Sequence, residues 1–76
     1  MRWNLWVVDD NKPLAPGASY DCEVKALCKA GSYVMRHGTQ MSNLQVREID
    51  LFGRSALMIK DPDKSWGVAT LETTHD

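Results

Sequence analysis

The sequence predicts a small α+β domain. Its antiparallel sheet has about five strands in the order β-β-α-β-β-β, with one helix packed on one face. Three observations predict it. Apolar residues alternate, or run unbroken, in several stretches of six to eight residues rich in Trp, Val, Ile and Leu, as strands require. One stretch, CEVKALCKAGSYVMRHG, changes from period two to a period near four, which marks a helix. Short Gly and Asp-Pro signals join the last three strands, and tight turns make neighbouring strands antiparallel.

The first strand is expected over residues 2–9, RWNLWVVD. Trp3, Leu5 and Val7 share one face, and Trp6 and Val8 the other. Apolar residues on both faces suit a strand covered on both sides. Residues 11–19, NKPLAPGAS, have loop chemistry, since two prolines remove amide donors and Gly17 permits a turn. From Tyr20, the alternation of Tyr20, Cys22, Val24 and Ala26 with polar residues predicts a half-buried second strand. Beyond Ala26, the residues Leu27, Ala30, Gly31, Val34 and Met35 follow helical spacing, so a short helix is expected over about 28–37. Gly38 suits its C-terminal cap, and Arg36 and His37 suit the negative end of its dipole. Gly31 is read as a position of close approach to the sheet.

The last third is a meander. In NLQVREID, Leu44 and Val46 share a face, and the pattern then switches to Ile49 and Leu51. This predicts a β-bulge near Arg47 or Glu48. Gly53 makes a tight connection to SALMIK, residues 55–60. Asp61-Pro62-Asp63-Lys64 matches a type I turn, and WGVATL, residues 66–71, is the last strand. The tail, residues 73–76, is expected to fray.

At 76 residues the chain makes one domain, and such a domain buries only roughly 60% of its unfolded surface. Nine basic and ten acidic residues leave a net charge of −1, so no bulk basic charge points to wholesale nucleic-acid binding. The opening apolar run is too short for a signal peptide, and no run reaches membrane length. A soluble, cytoplasmic protein is expected, with its two cysteines reduced and buried.

The candidate reactive groups reduce to bland roles. Cys22 and Cys28 are too widely spaced for a compact zinc chelate, and no second ligand pair follows. His37 would stand about 13 Å from Cys28 along a helix, too far to activate a thiol. No catalytic residue, metal or cofactor is expected. The helix carries the better signal. Lys25, Lys29 and Arg36 recur at spacings of four and seven, and Lys29, Ser32, Tyr33 and Arg36 share its outer side. With Lys25 they make a docking stripe for an acidic groove or a phosphate backbone, against the plainer reading of a solvated face. Trp6, Val8, Met58, Trp66 and Val68 cannot all lie under one helix. Trp6, Met58 and Trp66 are therefore candidate contact residues on the second sheet face, for a partner or a homodimer, unless the proline loop covers them.

The strand ending EVKAL, the helix with Lys-Ala, the strand VREID, the turn at Gly53 and the DKSW turn before Trp66 also follow a familiar order. It resembles small phage-encoded anti-CRISPR proteins acting on type I surveillance complexes. The resemblance spans nearly the whole chain. The sequence departs from it in the proline loop, the longer C-terminal tail and the Gly31-Ser32 pair. It implies a five-stranded antiparallel sheet with one helix, and a non-enzymatic inhibitor in the host bacterial cell. Such a protein binds backbone subunits of the crRNA-guided complex and blocks target DNA hybridisation. Lys29 and Arg36 fall in the corresponding basic helix. A small nucleic-acid-binding module and a homodimeric accessory protein are the alternatives.

Overall fold

The computed structural model describes residues 1–73. Of the tail expected to fray, Thr73 is instead paired with Arg2 in a strand, and residues 74–76 lie outside the described residues. Five strands form one antiparallel sheet: β1 (Arg2–Asp9), β2 (Lys12–Tyr20), β3 (Gln45–Leu51), β4 (Arg54–Lys60) and β5 (Trp66–Thr73). The helix α1 (Glu23–Arg36) lies between β2 and β3 in the chain, and a short 3-10 turn spans Met41–Asn43. The sheet order is β2-β1-β5-β4-β3, with every neighbouring pair antiparallel. The predicted class and the order β-β-α-β-β-β are therefore those observed.

The second strand and the helix lie elsewhere than the period predicted. Asp10 and Asn11 both take positive φ, 51° and 62°, which makes a two-residue turn between paired Asp9 and Lys12. Asx residues tolerate that conformation, and its twist suits a hairpin. The residues expected to be a proline loop are therefore β2. Pro13 and Pro16 fit because β2 is an edge strand, where a missing amide donor breaks no ladder. Its register against β1 slips twice, with the extra residues on β2. The bulge expected at Arg47 or Glu48 is absent, and β3 pairs with β4 in unbroken register. The parity switch there has another cause: Leu44 packs on the helix side of the sheet, whereas Ile49 and Leu51 pack on the opposite side.

The helix starts at Glu23, not near Cys28, because Ala26, Ala30 and Val34 at spacing four supply its buried stripe. The alternation over 20–26 was too short to separate the two periods. Cys22 caps the start with extended backbone, and its carbonyl accepts the Ala26 amide at 3.0 Å. Cys22, Val24 and Cys28 are exposed instead of inward, since helical phase turns them away from the sheet. At the other end, the amides of His37 and Gly38 bond back to Val34 and Met35, and Gly38 takes φ 97°.

Two apolar layers result. Leu5, Ala26, Ala30, Val34, Ile59 and Val68 are buried between sheet and helix. Val8, Leu51, Ala56, Met58, Ala69 and Leu71 are buried on the face with no helix, where Trp6 and Ile49 pack over them.

Gly31 does not hold the helix close to the sheet. A Cβ there would sit 3.9 Å from Leu44 Cδ1 and 4.0 Å from Ile59 Cδ1, ordinary contact distances. Gly31→Ala should therefore stabilise the domain by about 1 kcal/mol, because alanine loses less backbone entropy in a helix. A higher urea midpoint checks this, and a lower one would mean the helix has no room to spare.

Candidate functional site

The five predicted helix residues do not stay together. Lys25, Lys29, Tyr33 and Arg36 are exposed on one arc of α1. Ser32 is half-buried, and its hydroxyl donates to the Cys28 carbonyl at 2.9 Å within the helix. It lines the opposite flank, beside Met35 and Leu44. Lys25 lies more than two turns before Arg36 and outside the cleft that the others share.

Lys29, Tyr33 and Arg36 meet the β1–β2 hairpin across a cleft of about 230 Å³. Its floor is apolar, from Leu5, Val7 and Val68, and Tyr20 also lines it. Gly17 and Ala18 of β2 form the far wall. The alternation of β1 puts Leu5 and Val7 on the helix side, and the helical repeat sets Lys29 and Arg36 two turns apart above them. Two cations and two phenols around an apolar floor can hold an apolar side chain flanked by an anionic group.

Beyond the cleft, the end of the helix builds an aromatic cluster that the sequence reading did not find. Tyr33 lies 4.6 Å from His37 and 6.1 Å from Trp66 between ring centroids, and His37 lies 5.7 Å from Trp66. Lys64 Nζ stands 5.9 Å from the Trp66 ring and donates to the His37 carbonyl at 3.2 Å. Its other contact is Thr39 Oγ1 at 3.4 Å. Thr39 in turn donates to buried Asp61 at 3.2 Å, and Asp61 accepts the Asp63 amide at 2.9 Å in the turn. The helix end is thus tied to the β4–β5 turn. The one sequence signal for this cluster is the spacing of four between Tyr33 and His37.

Trp66 accordingly sits on the helix side of the sheet, not on the second face. Strand parity explains it: Trp66 and Val68 point one way, and Gly67 and Ala69 the other. Trp6 and Met58 do lie on the second face. Among the described residues no three His, Cys, Asp or Glu side chains gather as a metal-binding group. No helix among them is long and apolar enough to cross a membrane. Comparison with protein-family models, curated proteins and solved structures gives no match.

Proposed function

We propose that the chain is a non-enzymatic inhibitor that docks by the outer face of α1 on an acidic surface of a large host protein–RNA assembly. The observation that carries this reading is the convergence of Lys29, Tyr33 and Arg36 on one apolar-floored cleft, with Lys25 exposed on the same face. Rigid placement of cations on a helix, beside aromatic rings, suits a protein surface that offers carboxylates around an apolar anchor. A net charge of −1 makes loose adsorption to nucleic acid the poorer explanation. The resemblance of the sequence to anti-CRISPR proteins directs the target to a type I crRNA-guided surveillance complex, where occupancy would block DNA hybridisation by steric exclusion.

The test is binding of the chain to a purified type I surveillance complex, with target DNA hybridisation measured alongside. Lys29→Glu together with Arg36→Glu is expected to weaken binding by about a hundredfold, on the order of 3 kcal/mol for two reversed charges at the contact. Circular dichroism should be unchanged, since both residues are exposed. Equal binding by the variant would rule out the helix face. Steeply salt-dependent binding to plain duplex DNA, with none to the complex, would favour the nucleic-acid reading instead.

A further inference from the structure

The two edges of the sheet are not equivalent. The β2 edge carries Pro13 and Pro16 and two register slips, features that blunt strand addition. The β3 edge has no proline, no bulge and seven residues in regular register with β4. Its hydrogen-bonding groups have a definite direction. Leu51 and Arg54 close a two-residue turn at Phe52-Gly53, with φ 56° and 75°. In such a hairpin the closing pair exchanges both hydrogen bonds, and the pattern alternates along the strand. Val46, Glu48 and Asp50 therefore turn their amides and carbonyls to the open edge.

The same three residues face the helix side, because Val46 pairs with Ile59 of the helix-side layer. Val46 is 62% exposed. Beside it runs an apolar groove between α1 and β4, lined by Met35, Met41, Leu44 and Ile59. Further along, the surroundings turn acidic. Glu48 shares a cleft with Glu23 and Glu72, and Asp50 lies next to it. Asp50 Oδ1 accepts the Gly53 amide at 3.0 Å, which orients the carboxylate without cancelling its charge.

We propose that the open edge of β3 receives an extended segment of another protein by antiparallel strand addition. This surface is separate from the basic helix face and does not depend on the function proposed for it. The segment carries an apolar residue opposite Val46 and basic residues opposite Glu48 and Asp50. Backbone pairing supplies affinity, and alternate side chains supply selectivity. Opposite charges directly across a strand pair are favourable, and like charges are not. That rule disfavours a second copy as the occupant. Self-pairing centred on Arg47 sets Arg47 against Arg47, and centred on Glu48 sets Glu48 against Glu48. Centred on Ile49, it sets Glu48 against Asp50. Centring on Val46 leaves only a short ladder, since β3 begins at Gln45.

The probe is the heptapeptide Lys-Thr-Lys-Thr-Val-Thr-Leu, capped at both ends. The control replaces both lysines with glutamate. Amide chemical-shift titration should move β3 resonances around Val46, Glu48 and Asp50. The lysine peptide should bind at least about tenfold tighter than the control. Glu48→Lys should remove that preference, and Val46→Pro should weaken both peptides, since it deletes an outward donor while an edge strand tolerates proline. No β3 shifts at millimolar lysine peptide, or equal binding of the two peptides, would overturn the proposal. So would concentration-dependent β3 shifts without peptide, which would identify a second copy as the occupant.

Discussion

Gly67→Ala is expected to destabilise the domain by about 3 kcal/mol, the upper range for forcing an extra methyl into a packed site. Gly67 stands in β5 at the middle of the sheet, paired with Val8 on one side and Lys60 on the other. A Cβ there would lie 2.6 Å from the Ile59 carbonyl oxygen, 2.7 Å from Lys60 Cβ and 3.1 Å from Met58 Cγ. A flexible side chain can swing away, but a carbonyl in a strand ladder cannot. Relief requires β5 to move off β4, and the fully buried Ala69 two residues on must move with it. Domains of this size have a total stability of roughly 4–11 kcal/mol, so a large share would be lost. Urea denaturation followed by tryptophan fluorescence measures it. An unchanged midpoint would mean that the strands separate locally at little cost. The contrast with Gly31→Ala, expected to stabilise, isolates sterics from composition.

The sequence revealed elements whose signals are local. Asp61-Pro62-Asp63-Lys64 makes its turn through the bond from the Lys64 amide to the Asp61 carbonyl, as the spacing implied. Gly53 takes its positive φ. Where two periods compete over a few residues, tertiary burial decides. Ala26 belongs to both an alternating run and a helical stripe, and only contact with the sheet selects the helix. The prolines of β2 misled for a related reason. They exclude a central strand, and nothing local distinguishes a loop from an edge strand. Lys29, Tyr33 and Arg36 were legible from helical spacing, whereas Tyr20, Leu5 and Trp66 were not. Their proximity to the helix depends on strand order and on which face each residue takes, and short-range patterns do not encode strand order.

Met58→Ala should cost about 3 kcal/mol, within the usual range for truncating a buried large side chain. The sequence placed Met58 on an open second face as a contact residue. A contact residue could be truncated with little effect on stability. Met58 is instead only 1% exposed, although no helix among the described residues covers that side. The cover comes from the sheet itself. Trp6 in β1 meets Phe52, at the β3–β4 turn, edge-on with centroids 4.9 Å apart. In sheet order β5 alone lies between β1 and β4, so these two strands stand two spacings apart, about 10 Å in a flat sheet. Their contact requires the sheet to twist and coil over its second face. Ala69 and Ala56 are the small residues that let Trp6 and Ile49 lie over this layer. Truncating Met58 would open a cavity beneath that cover, and Met58→Leu, which preserves volume, should cost less than about 1.5 kcal/mol. Equilibrium unfolding of both variants measures the difference. If Met58→Ala lost less than about 0.5 kcal/mol, the level of an ordinary surface substitution, the second face would be an open surface after all.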